Sequence, residues 1–170
     1  MIKKGRKNVM KNIIIIAAIG PNNELGKDND LIWKIPEDMK FFRESTTNKP
    51  IVMGVNTFNS LPKMLPNRKH IVLTHQTLEE NDNLVVFNNL EELLEFLKTI
   101  DSDIMVIGGA KIYEEFLPYA DMMLLTEIEN NDALADRYFP EFDREEWNSE
   151  VLGEYNHENI KYKRLKYSRK

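Results

Sequence analysis

The chain has 170 residues, enough for one domain with a substantial core, and its 23 basic against 28 acidic residues give a formal charge of −5, which excludes a general nucleic-acid binder. The absence of cysteine excludes a disulfide framework, a thiolate nucleophile and a sulfur-ligated metal, and the three histidines are scattered. No apolar run approaches bilayer-spanning length, so the expectation is a cytoplasmic protein with a small-molecule partner and neither nucleic acid nor membrane.

Residues 1–11 form a basic opening that runs into the apolar Ile13–Ile19, an order that superficially matches a secretory signal. The same apolar run is also what a buried strand looks like. A charged arm for nucleic acid or an anionic surface is a third reading, resting on charge alone. Met10 could serve as the start, so residues 1–9 are expected to be dispensable, with 1–11 a basic extension and 12–170 the domain. Ile13–Ile19 is β-branched and apolar on both faces, which predicts a central strand of a parallel sheet. Residues 20–30 are dense in turn formers and read as a long loop, of the kind that forms lids and binding loops.

Pro36 suits the first position of a helix, where its fixed φ fits and its missing N–H has no partner to lose. From that start Asp38, Phe41, Phe42 and Ser45 share one face, whereas Glu37, Lys40, Arg43 and Glu44 turn to water. An acid set between a helix N-terminus and aromatic rings is able to bind or relay a proton, although an ordinary first-turn acid has the same local pattern. A buried strand follows at Ile51–Gly54, then a helix capped by Asn56 or Thr57 with Phe58 and Leu61 inward, ended by Pro62 and Pro66. Strands are expected at 71–74 and Leu84–Phe87, with a loop over 75–83, and Asn88 or Asn89 caps an amphipathic helix over 90–97. A strand at 104–107 ends in Gly108-Gly109 before a helix over 110–117. Glycines let a backbone approach a ligand and free N–H groups favour an anion, but a Gly pair is equally a plain tight turn. A strand at 122–126, an acidic loop to Phe139-Pro140, and a hairpin of 150–155 with 160–167 complete the pattern. This alternation predicts one α/β domain: a mostly parallel central sheet flanked by helices, with an antiparallel C-terminal strand. Ligands are expected beyond the carboxyl ends of its strands, near the loops after Ile19, Gly54, Thr74 and Ile107.

One ordered set of motifs goes further: Ile16-Ala17-Ala18; Trp33-x-x-Pro36-x-Asp38 with Phe42; Met53-Gly54-x-x-Thr57-Phe58; Leu65-Pro66-x-Arg68; and Val106-Ile107-Gly108-Gly109-x-x-Ile112-Tyr113, with Phe139-Pro140 later. Carrying these, the chain from about residue 12 to the C-terminal hairpin resembles dihydrofolate reductases of the bacterial chromosomal type. The resemblance implies their single-domain fold, a monomer, and hydride transfer from NADPH to 7,8-dihydrofolate, giving tetrahydrofolate. It implies that Asp38 accepts two adjacent N–H donors of the pterin and favours protonation of the ring nitrogen beside the carbon that takes hydride. Thr126 matches the hydroxyl that backs this carboxylate, and Trp33 the indole that orders water beside it. Phe42 matches a ring against the substrate, with Ala18, Met39, Leu61, Leu65, Ile107 and Tyr113 as further contacts and Arg68 as ligand of the glutamate carboxylate. Ala18, Thr57, Gly108, Gly109 and Tyr113 correspond to cofactor contacts, and the Gly108-Gly109 bond is expected to be cis.

Three positions depart from the family pattern. Ile32 replaces a proline before the tryptophan, Ala135 replaces a glycine in the loop that packs against the lid, and Val55 replaces an arginine that binds the 2′-phosphate of NADPH. Thr74, His75 and Lys111 are then the remaining candidates for that phosphate. Two other readings compete. The related reductase of riboflavin synthesis is disfavoured by Asp38 behind Trp33, and a non-catalytic folate- or nucleotide-binding module by Asp38, Thr126 and the Gly pair together.

Overall fold

The computed structural model describes residues 12–28, 30–130 and 133–170; the basic opening and the readings attached to it lie outside the described residues. In chain order the strands are β1 (Ile13–Ile19), β2 (Glu24–Lys27), β3 (Asp30–Leu31), β4 (Ile51–Gly54), β5 (His70–Leu73), β6 (Leu84–Phe87), β7 (Ile104–Gly108), β8 (Met122–Glu129), β9 (Arg137–Tyr138), β10 (Trp147–His157) and β11 (Ile160–Arg169). The helices are α1 (Pro36–Thr46), α2 (Val55–Ser60), α3 (Leu90–Leu97) and α4 (Ala110–Phe116). Among the described residues eight strands form the main sheet in the order β10-β11-β8-β1-β7-β4-β5-β6. From β8 to β6 neighbouring strands are parallel, and β11 joins β8 antiparallel, as the alternation of strand and helix and the closing hairpin require.

Each face of this sheet carries its own apolar layer, which is why β1 and β4 read as continuous apolar runs. On one face Leu93 and Leu97 of α3 and Ile112 and Phe116 of α4 pack over Ile15, Val52, Val106 and Leu125. On the other, Phe41 and Phe42 of α1 and Phe58 of α2 cover Ile14, Ile16, Met53, Met105 and Ile107. Full burial of each such side chain contributes about 1.5–3 kcal/mol. The caps are local. Asn89 accepts from the Glu92 N–H at 2.8 Å to start α3, and α1 begins at Pro36 without a side-chain cap.

Two expectations are corrected. The segment read as a loop over 20–30 contains β2 and β3, which join β9 in a small separate sheet, Glu24 opposite Tyr138 and Gly26 opposite both Leu31 and Arg137. Strands this short leave no periodic signal, and β9 lies more than a hundred residues downstream. α2 also starts earlier than Asn56 or Thr57: Gly54 is its N-cap, with no side-chain bond, because β4 passes directly into the helix.

Candidate active site

The site begins as a row of residues set by strand register. Ala18 of β1 stands beside Thr126 of β8, and Thr126 beside Arg164 of β11, so three adjacent strands present neighbouring side chains. Asp38, the third residue of α1, meets this row. Its Oδ1 accepts a hydrogen bond from the Thr126 hydroxyl at 2.5 Å and another from Arg164 Nη2 at 3.0 Å. Its Oδ2 receives none among the described residues, and its side chain keeps 19% of its exposure. The acid is thus fixed by one oxygen and open at the other.

The Arg164 side chain is only 8% exposed. Its guanidinium lies 4.0 Å from the centre of the Phe41 ring and 4.9 Å from that of Tyr155, and Tyr155 stacks in turn on Tyr162. Sequence reasoning missed this residue, since Lys161-Tyr162-Lys163-Arg164 reads as a charged surface hairpin. The signal was the register: pairing the hairpin antiparallel to the strand of Thr126 puts Arg164 beside it.

Trp33 is buried with Ile35, Ile128 and Tyr162, close to Ala18. A Cβ on Gly20 would come within 2.6 Å of its ring, so only glycine lets the strand end pass there. Its Nε1 and the Arg164 Nε are buried donors with no protein partner among the described residues. Phe42, Leu61, Leu65 and Ile107 fall together in the apolar layer under α1, whereas Met39 points outward on the same helix and is not brought to them.

Arg68 is buried instead of solvated. It donates from Nε to Thr46 Oγ1 at 3.0 Å, from Nη1 to the Pro66 carbonyl at 2.6 Å, and from Nη2 to the Arg43 carbonyl at 2.9 Å and Thr47 Oγ1 at 3.1 Å. Four of its five N–H groups are therefore used, three to hold the C-terminal end of α1 and one to brace the 65–68 loop itself. Burial, then Arg43 nearby, lowers its pKa. His70 ties the same loop: Nε2 accepts from the Leu65 N–H and Nδ1 donates to the Arg68 carbonyl, each at 3.1 Å. That pattern fixes the neutral tautomer, and burial pushes the imidazole below its ordinary pKa despite its backbone hydrogen bonds.

On the far side of β1 the turns β4-α2 and β7-α4 lie side by side, with Met53 paired to Gly108. The Gly108-Gly109 bond is cis and Gly108 has φ +112°. A Cβ on Gly108 would press on the Tyr113 ring at 3.1 Å, and one on Gly109 would meet Thr57 Oγ1 at 3.7 Å. Tyr113 donates its hydroxyl to the Ile16 carbonyl at 2.7 Å, and burial drives its pKa upward. Its proton is thus committed to β1. Val55 is half-buried against the apolar layer, Thr74 Oγ1 accepts from the Gln76 N–H at 3.1 Å, and His75 and Lys111 are exposed. Ile32 packs beside Trp33, and the Ala135 carbonyl accepts from the Tyr138 hydroxyl at 3.3 Å. No cluster of three potential metal ligands exists among the described residues.

The fold and the site define an α/β protein with a partly buried carboxylate on one side of β1 and a glycine turn on the other. The model of the family described as dihydrofolate reductase matches residues 12–169. The chain is 39% identical over 136 residues to a dihydrofolate reductase of Haemophilus influenzae, covering 80% of this chain and 83% of the relative. It is 39% identical over 135 residues to one of Bacillus subtilis, covering 79% of each. Among solved structures, a dihydrofolate reductase from Enterococcus faecalis complexed with NADP(H) and RAB-propyl superposes with a TM-score of 0.83 at 28% identity, covering 93% of this chain and 96% of that one. The chain belongs to the dihydrofolate reductase family, of the bacterial chromosomal type, and is an NADPH-dependent oxidoreductase.

Proposed function

We propose that the chain reduces 7,8-dihydrofolate to 5,6,7,8-tetrahydrofolate with NADPH, and that Asp38 anchors the pterin. The observation that carries this reading is the Asp38 carboxylate, fixed at Oδ1 by Thr126 and Arg164 with Oδ2 left for a ligand. The pterin edge offers adjacent N–H donors, and a carboxylate accepts such a pair with charge-assisted bonds. Phe42, Leu61, Leu65 and Ile107 supply the apolar walls for the ring and its substituent.

When bound, NADPH supplies the hydride for the pterin C6, and a solvent proton completes the reduction at N5. The residues present fit that cofactor: Gly108 and Gly109 with Thr57 leave bare backbone at paired strand-to-helix turns, and Tyr113 braces the turn against β1. The Asp38 charge favours the cationic ring that forms as N5 takes its proton. The buried N–H of Trp33, without a protein partner among the described residues, suits it to hold a water on the proton's route. Arg68 keeps one N–H for the substrate's glutamate carboxylate beyond the four that bind the protein. The test is spectrophotometric. Purified protein should oxidise NADPH only when dihydrofolate is added; oxidation with a ribosylaminopyrimidine instead, or with neither, would overturn the assignment.

A further inference from the structure

We propose that Arg164 is a specificity-determining positioning residue: it acts through Asp38 as a built-in counter-cation, so that the site selects neutral pterin-like heterocycles over ligands that bind as cations. The inference rests on the reading of Asp38 as the pterin anchor. A carboxylate alone in an apolar site attracts a cationic heterocycle more strongly than a neutral one, because full charge is added to the same pair of hydrogen bonds. Here the carboxylate is already paired, at 3.0 Å, before any ligand arrives. A neutral 2-amino-4-oxo ring needs only lone pairs from Asp38. A protonated 2,4-diamino ring carries its charge on the edge that bonds Asp38, next to the guanidinium, whereas a proton at the pterin N5 sits on the far ring.

The arginine is held in place by its surroundings. The backbone register fixes it beside Thr126, and its guanidinium carbon lies over the rings of both Phe41 and Tyr155. Tyr155 lies close because β10 is irregular between Val151 and Gly153, and a Cβ on Gly153 would collide with the Tyr155 hydroxyl and ring. Thr126 and Arg164 together also take both acceptor directions of Oδ1, so an incoming ring is read mainly by Oδ2. The edge of each ring that faces Asp38 offers the same pair of donors, so it is charge that discriminates, toward a ligand that donates without carrying charge.

The test uses the full chain saturated with NADPH and two probes, folic acid and a 2,4-diaminopyrimidine, with dissociation constants from quenching of tryptophan fluorescence. Arg164→Met keeps an unbranched chain between the rings and removes the charge. It should tighten the diaminopyrimidine at least tenfold relative to folic acid, while Arg164→Lys keeps the wild-type ratio within about threefold, as restored charge requires. Should the Met variant fail to fold, Arg164→Gln carries the same expectation. Parallel shifts for both probes, or an unmoved ratio in the neutral variants, would show that Arg164 only packs, and the proposal would be overturned. Asp38→Asn separates the underlying reading: if that variant binds both probes as the wild type does, the anchor assignment has failed; if it loses both while the Arg164 ratio stays flat, the counter-cation alone is wrong.

Discussion

Replacing Asp38 by asparagine keeps the shape of the side chain and removes its charge, so its consequences for stability and for activity separate. The amide oxygen of the variant still accepts from Thr126 and Arg164, which now donate at 2.5 and 3.0 Å to Oδ1. What is lost is the charge-assisted part of the Arg164 contact, whose partners are 8% and 19% exposed. Charge-assisted hydrogen bonds contribute about 1.5–3 kcal/mol against about 1 kcal/mol for neutral ones, so a loss of about 1 kcal/mol is expected, lowering Tm by roughly 2–4 °C in a domain of this size. A domain with the usual 5–15 kcal/mol of stability remains almost wholly folded after such a loss. The loss of activity is therefore chemical. Proton-linked catalysis by one placed group is typically worth about 10²–10⁴-fold, and hydride transfer at neutral pH should fall by that factor with cofactor binding nearly intact. Residual activity should rise in acid, where the pterin takes its proton from solvent. Single-turnover decay of NADPH absorbance across a pH series, with Tm measured on the same samples, is the assay. Near wild-type hydride transfer at neutral pH refutes the reasoning, whatever happens to Tm.

Restoring a cation with Val55→Arg at the start of α2 should lower KM for NADPH several-fold and leave KM for NADH little changed, since only the 2′-phosphate gains a partner; a wild type that already discriminates a thousandfold, with no gain in the variant, points to another cation. Arg68→Met breaks three bonds to the end of α1 and one within its own loop, and should cost about 2–4 kcal/mol in urea unfolding. It should also raise KM for dihydrofolate about tenfold, but not for a reduced pterin lacking the glutamate; equal changes for both would remove Arg68 from substrate binding. His70 titrates below its ordinary value because it is buried neutral, so the unfolded chain binds the extra proton first. Its contribution is complete above pH of about 6.5 and declines as pH falls from there through the lower folded value. Tm measured down an acid series should drop more steeply in the wild type than in His70→Gln, and parallel curves would exclude His70 as the cause.

The elements with long apolar or helical periods were legible: β1, β4, α1 from Pro36, and α3 with its Asn89 cap follow from local pattern alone. So was the carboxylate, because Pro36 sets the helix phase that turns Asp38, Phe41 and Phe42 the same way. The small sheet of β2, β3 and β9 was not, because its strands are two to four residues long and are held by pairing with distant partners. The sequence motif presents Arg68 as a ligand of the substrate's glutamate but not its burial, which depends on four acceptors supplied by α1 and its own loop. Arg164 was invisible for a related reason: a basic residue in a strand reads as solvated until the register of β11 against β8 puts it beside Thr126.

The partners of Asp38 lie 88 and 126 residues away along the chain. Contacts of such long separation require loop closure between distant strands. A partly folded chain that has joined α1 to β1 but not β8 to β11 holds the acid without its hydroxyl or its guanidinium. It therefore lacks the binding geometry of the native state. On the proposed reading of Asp38, substrate is a ligand of the finished fold alone and stabilises it by mass action.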